Sequence, residues 1–344
     1  MGRHRPLCGL LLIGLASLFL SACDGPPPAT ADLSAEATAG AGAAASFTMV
    51  ALNAEWLFDG VGEGRFDTAP QSAAEAEEHL TEVADYLASL DADYISLAEI
   101  EDLAVLEELN ALLPEAYHPV FVQGLDTYTG QDVGALSRPV VADAGRSDER
   151  AAYPVEGSTL YAVRGDKGVS KHYWAEIEIL GMPVTVIGVH FLAIPNDRKR
   201  ASQREAQATV IRRLVREILE GEPRREVILL GDFNDYDREI VDASGSRPIS
   251  CTFDLLTDLD DEQEGDEMVN LACFVPEEER YTCWYDRDGD GDDDGGDEYS
   301  QLDTVLVSRG LLPYVDEVWV DHSYAAGTVS DHWPVIVRFT PPSD

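Results

Sequence analysis

Val227-Ile228-Leu229-Leu230-Gly231-Asp232-Phe233-Asn234 is the stretch on which the reading of this chain turns. Four consecutive apolar residues describe a strand buried on both faces, and a polar Asp and Asn follow at once where it ends. Gly231 allows close backbone approach at that point. A simple turn also uses Gly, Asp and Asn, so this segment alone leaves a turn and a functional site open.

Working outward, the same theme recurs. A strand over 47–52 runs into Asn53, and an apolar strand over 94–97 ends on Glu99. Between them, Ala, Leu and Val at helical spacing over 71–90, with Glu on the other face, predict an outer helix. A second helix is expected over 103–113, stopped by Pro114, followed by strands over 117–122, 133–136 and 159–163. A hairpin over 173–180 and 184–189 turns at Gly181-Met182-Pro183 and delivers His190. After a long helix over 198–219 and the opening stretch, strands over 302–307 and 335–339 carry Asp303 and follow Ser330-Asp331-His332. Strand ends are where α/β folds place their chemistry, and six polar strand-end sites in one order are unlikely by accident.

This ordered set resembles the endonuclease/exonuclease/phosphatase superfamily, with Asn53, Leu97-Ala98-Glu99, Val189-His190-Phe191, Gly231-Asp232-Phe233-Asn234, Leu302-Asp303 and Ser330-Asp331-His332 carrying the likeness. The resemblance spans Phe47 to Phe339. It implies an α/β four-layer sandwich with two central mixed, largely antiparallel β-sheets and helices outside. It also implies a metal-dependent phosphoester hydrolase that uses activated water. By position, Glu99 would be the main metal carboxylate, with Asn53 and Asp331 completing an oxygen-rich shell suited to Mg²⁺ or Mn²⁺. Asp232 would orient or deprotonate water and Asn234 would hold the nucleophile or a phosphate oxygen. His332 would face the phosphorus with Asp303 on its other nitrogen. His190 would contact the phosphate or protonate the leaving oxygen, and Asp132 is the candidate for its carboxylate partner. Lys171 and Arg204 are candidate phosphate ligands, with surface solvation as the competing reading.

The rest of the chain frames that domain, taken as 47–340. Arg3 and Arg5 precede an apolar run over 7–20 and then Leu20-Ser21-Ala22-Cys23. Residues 1–22 therefore read as a lipoprotein signal peptide, with Cys23 lipidated and 23–46, rich in Pro, Ala, Gly and Ser, as a flexible tether. The expected location is a membrane facing the periplasm or the cell exterior, and a monomer without a protein partner is expected. Cleavage removes two cations and no acid, so the net charge of −41 becomes −43. Duplex DNA binding without sequence preference rests on Lys and Arg neutralising phosphates. Here the basic residues gather locally at Arg198-Lys199-Arg200, Arg204 and Arg212-Arg213. Cys251, Cys273 and Cys283 permit one bridge and one spare; Cys273 with Cys283 closes the shortest loop, but spacing does not decide the pairing.

An acidic insert over 286–298 places Asp286, Asp288, Asp290, Asp292 and Asp294 at alternate positions, with Gly291 sixth. That matches a calcium loop, except that Asp297 stands at position 12 where such loops have Glu. A structural Ca²⁺ site and a disordered acidic insert are the two readings. For the whole chain the leading expectation is an exported nuclease-like phosphodiesterase acting on phosphoesters, nucleic acid among them. The alternatives are a phosphomonoesterase or phospholipid phosphodiesterase of the same superfamily, and a non-catalytic calcium-loaded surface binding module.

Overall fold

The structure, a computed structural model, describes residues 46–342 apart from 63–65, 67, 161–162, 223, 260–266, 288 and 290–296. The expected signal peptide, Cys23 and all of the tether but Ser46 lie outside the described residues, as do most ligand positions of the acidic loop.

In chain order the strands are β1 (Phe47–Leu57), β2 (Tyr94–Ile100), β3 (His118–Phe121), β4 (Asp132–Ser137), β5 (Asp143–Gly145), β6 (Ala151–Tyr153), β7 (Gly165–Lys167) and β8 (Lys171–Ile179). They continue with β9 (Met182–His190), β10 (Glu226–Asp232), β11 (Met268–Asn270), β12 (Cys283–Tyr285), β13 (Glu298–Ser300), β14 (Asp303–Ser308), β15 (Val315–Val320) and β16 (Val335–Phe339). The helices are α1 (Ala73–Leu90), α2 (Leu103–Leu112), α3 (Arg198–Gly221) and the short α4 (Thr252–Thr257).

Two six-stranded sheets result, ordered β15-β16-β1-β2-β4-β3 and β11-β14-β10-β9-β8-β5. Only the β1–β2 and β9–β10 pairings are parallel; the others within these sheets are antiparallel. Strand alternation explains the layering, because successive side chains point to opposite faces. In β1, Met49 and Ala51 enter the core between the sheets, whereas Val50 and Leu52 pack with Leu80, Val83 and Leu87 of α1. In β10, Ile228 and Leu230 face the other sheet, while Val227 and Leu229 pack with Val210, Ile211 and Val215 of α3. Both strands are hydrophobic on both faces because each sheet is covered twice, giving the expected four layers.

The helices carry clear stop and start signals. Ser72 caps α1 by accepting from the Glu75 amide, and Asp102 caps α2 by accepting from the Ala104 and Val105 amides. Residues 159–160 are irregular, so the strand expected over 159–163 does not form there, and 161–162 lie outside the described residues. No bridge joins Cys273 to Cys283. Among the described residues no helix is long and apolar enough to cross a membrane.

Candidate active site

The alternation that builds the core also aims the polar residues. His190, Asp232 and Asp303 share the parity of Val186, Leu230 and Val305, so they continue the inter-sheet face of β9, β10 and β14 beyond the apolar layer. Asn53 does the same after Met49 and Ala51. Glu99 has the wrong parity, since Ala98 already occupies the inter-sheet face. The backbone resolves this with an irregularity in the β2–β4 register between Ala98 and Ile100, and Glu99 adopts φ 60°. Glu55 and Trp56 sit at a matching irregularity in β1 with φ 48° and 53°, and Asn234 has φ 50°. Left-handed backbone at non-glycine residues costs on the order of 1–3 kcal/mol each and gathers at functional sites.

The side chains so placed converge. Asp303 Oδ2 lies 2.6 Å from His332 Nδ1, which leaves Nε2 facing the site, 3.8 Å from Asp331 Oδ1. Asp232 accepts from the Asn234 amide and side chain, both at 2.8 Å, and from Asn53 Nδ2 at 3.2 Å. His190 Nε2 stands 3.5 Å from Asp232 and 3.8 Å from Glu99. Glu99 is held by Gln131 Nε2 at 2.6 Å, Asn53 Nδ2 at 3.2 Å and the Trp56 amide at 3.3 Å. The 330–332 loop docks on β1, with Ser330 donating to the Asn53 carbonyl and the Asp331 amide donating to Glu55. The carboxylate side is the more open: the side chains of Glu99 and Asp331 are 16% and 37% exposed, against 2% for Asp232.

Electrostatics separate the groups by role. Burial first, and then the Asp303 charge, push Asp232 up to about 7. Burial and the neighbouring Glu55, Glu99 and Asp232 charges hold Asp331 well above the carboxylate range, and burial together with Glu99 raises Glu55. Burial opposes a charged His332, but Cys283, Asp303 and Asp331 outweigh it and raise the imidazole well above its ordinary value. The Cys283 thiol is itself pushed up to about 11 by burial, so at neutral pH the Asp303 carboxylate bonded to Nδ1 does most of that work. His190 moves the other way, driven down by burial, Lys171 and His332.

Glu55, Glu99, Asp232 and Asp331 bring carboxylates to one side of the site, and like charges gathered in this way are tolerated best when a cation offsets them. Their all-oxygen donor set fits Mg²⁺ or Mn²⁺. Donor atoms of Asp232, Asp303 and His332 also lie within 4.8 Å of one another. Asp303 and His332 are already bonded to each other there, and Glu99 and Asp331 offer further carboxylate oxygens on the more open side.

A profile of the Endonuclease/Exonuclease/phosphatase family matches residues 52–332. The chain belongs to that family. Its members are generally metal-dependent phosphoester hydrolases. Among solved structures, the chain is similar to TDP2 from C. elegans at 17% identity and TM-score 0.54, with 86% of this chain and 75% of that one covered. D. rerio TDP2 complexed with single strand DNA product gives 16% and 0.52, covering 86% and 99%. The endonuclease/exonuclease/phosphatase from Bacteroides vulgatus gives 17% and 0.53, also covering 86% and 99%. No curated protein sequence matches significantly. At these identities the solved structures support the family's fold.

Several sequence expectations change. Asp132 does not partner His190, whose Nδ1 is buried without a hydrogen bond. Asp132 has the parity of Leu136, which packs against the α1–α2 side, and it accepts instead from Gln123 and the Gly124 amide. One residue earlier, Gln131 has the inter-sheet parity of Val133 and bridges Glu99 to Lys171 Nζ at 3.2 Å. Lys171 is accordingly not solvated: it is buried, with Asp126 3.7 Å away. Arg204 is not a phosphate ligand, because its fully buried guanidinium is committed to Asp235 and to backbone carbonyls. The acidic insert joins β12 to β13, which pair antiparallel, so it is a hairpin tip flanked by strands instead of helices. Of its candidate ligands, Asp286 and Asp297 are described; Asp297 accepts from Trp284 Nε1 and from the Arg287 amide. Glu55 was missed because, although it lies two residues after Asn53, the left-handed backbone at Glu55 and Trp56 breaks the strand alternation there.

Proposed function

We propose that this protein is a divalent-metal-dependent phosphodiesterase of nuclease type that attacks phosphorus with water. The observation that carries the reading is the convergence of the Asp303–His332 pair and the Asp232–Asn234 pair on one side of the Glu99–Asp331 mouth. Held by Glu99 and Asp331 with Asn53 and Glu55 beside them, Mg²⁺ or Mn²⁺ would supply Lewis-acid polarisation of the phosphoryl group and relieve the carboxylate repulsion. Asp232, poised near neutrality, takes the proton of the attacking water at Oδ2, while Asn234 and Asn53 fix that carboxylate. His332 is kept protonated by Asp303, so Nε2 donates to the phosphoryl oxygen that gains charge. His190 is driven towards neutrality, which suits hydrogen-bond donation to the substrate better than transfer of a proton from an imidazolium.

Nucleic acid is the substrate class best supported. The Trp56 ring, beside Glu99, packs on Phe58 and Phe66, and Phe66 meets Tyr128, whose side is 66% exposed. Aromatic faces at the rim of a phosphate site suit base stacking. The solved D. rerio relative holds single strand DNA product. The strong negative charge of the chain makes short or single-stranded substrates the better partners than long duplexes. Export as a Cys23-anchored lipoprotein and a calcium-stabilised hairpin tip complete the proposal.

The test is an assay of residues 24–344, without Cys23, on DNA, RNA, bis-nitrophenyl phosphate, sphingomyelin and inositol phosphates, with Mg²⁺, Mn²⁺, Ca²⁺ or chelator. Metal-dependent cleavage of single-stranded nucleic acid is expected. Turnover confined to sphingomyelin or inositol phosphates moves the substrate class, and turnover no greater than that of His332→Ala on every substrate removes the enzyme reading.

A further inference from the structure

The segment Phe191–Asn196 leads from the end of β9 at His190 into the first turn of α3, and its backbone is held from below by that helix. Arg204 is fully buried, and its Nη1 donates to the carbonyls of Leu192 at 2.9 Å and Ile194 at 3.2 Å, while Nη2 donates to that of Pro195 at 2.6 Å. Its Nε donates to Asp235 Oδ2 at 2.9 Å, and that same oxygen accepts from Ser250 at 2.6 Å. Gln207, one turn along α3, accepts from the Leu192 amide at 3.1 Å.

Asp235 immediately follows Asn234, so one guanidinium joins the loop after His190 to the loop after Asp232 and Asn234. The two loops also touch directly, through the Phe191 amide on the Asp232 carbonyl at 2.9 Å. Within the clamped segment Ile194 has φ 68° and is 54% exposed. A β-branched residue in that region is a genuine outlier, and no burial of its side chain compensates. Such strain persists only where the surroundings over-determine the backbone, and here the carbonyls on both sides of Ile194 are bound by Arg204.

We propose that Arg204 is a positioning residue of the active site: it forces the post-His190 loop into a strained path and thereby braces that loop against the Asn234–Asp235 turn, behind the His190–Asp232 pair that the β9–β10 ladder holds in register. The proposal rests on the phosphodiesterase reading for its catalytic consequence, but not for its structural one. A planar fork with fixed donors is what the geometry needs, so lysine, with the same charge and a single ammonium, cannot replace it.

The experiment is a two-by-two comparison of the parent, Arg204→Lys, Ile194→Gly and the double variant. Arg204→Lys is expected to lower kcat for bis-nitrophenyl phosphate about 10- to 100-fold with KM near that of the parent, as small misplacements of catalytic groups do. The Leu192 and Asp197 amides, hydrogen-bonded in this loop, should lose protection from hydrogen exchange in Arg204→Lys. In the Ile194→Gly background, where φ 68° carries no penalty, the same substitution should cost several-fold less in kcat but more in melting temperature, because no strain is released to offset the lost hydrogen bonds. Equal losses in both backgrounds, or unchanged kcat and exchange in Arg204→Lys, overturn the proposal. If Arg204→Lys folds poorly, the melting-temperature comparison still decides it. A parent protein inactive on every substrate would remove the phosphodiesterase reading, while exchange and melting would still test the clamp.

Discussion

The two sheets contribute to one site by different means. The β9, β10 and β14 side delivers His190, Asp232 and Asp303 by plain alternation, each continuing the register of apolar residues beneath it. The β1 and β2 side delivers Glu55 and Glu99 only through register irregularities and left-handed backbone. The first half is the natural end of a well-packed sheet, with Asp232 bonded to Asn234 and Asp303 to His332. The second half is locally strained and rich in like charge. On the proposed function, the proton-handling groups are preorganised by packing, whereas the acidic mouth would need a cation to offset its repulsion.

The sharpest test of that division is His332→Ala or Asp303→Ala. Either should lower phosphodiester hydrolysis by about 10²- to 10⁴-fold, the range for a lost acid–base group, while leaving the metal-induced rise in melting temperature nearly intact. Next, saturating Mg²⁺ or Mn²⁺ should stabilise the parent by about 2.7 kcal/mol at one hundred times Kd, read as a shift in thermal midpoint. Glu99→Gln should abolish that shift, and a shift that survives it would break the assignment of the mouth as the metal side.

A control from the strand next to His190 comes third. His172 accepts from the Ser147 amide and bonds the Val169 carbonyl, so the fold holds it neutral, and burial followed by the Arg146 charge lowers it to about 4. Because the folded value lies below the unfolded 6.5, the neutral form contributes its full stability above pH 6.5. That contribution is lost as pH falls towards 4, by about 3 kcal/mol in all. Denaturant midpoints of the parent against His172→Gln, taken across pH 4–7, check it. Fourth, Gln131→Ala should cost about tenfold in rate, equivalent to about 1.4 kcal/mol, by releasing Glu99. Asp132→Asn should leave the rate close to that of the parent, and the opposite ranking would restore Asp132 as the site residue.

Residues that obey the strand period were legible in advance. Asn53, His190, Asp232, Asn234 and Asp303 could be picked out because polar residues after apolar runs have few structural excuses. Gln131 against Asp132 was not legible, since a one-residue choice of register flips the face and sequence pattern alone does not fix where β4 begins. Arg204 was misjudged for a different reason. Its place among basic residues suggested a phosphate ligand or a solvated helix face, but the helix turns it inward towards Asp235 and three carbonyls.

By itself the sequence determined the layered α/β architecture and the order of polar strand ends, because hydrophobic period and chain order are local properties written residue by residue. The pairing of Asp303 with His332 was implied by the resemblance, but only the tertiary structure decided that Glu55 joins Glu99 and Asp331 and that Arg204 braces two loops from within. Those are distances between segments remote in the chain, set by how two twisted sheets pack and by where the backbone accepts strain, and no local pattern encodes them.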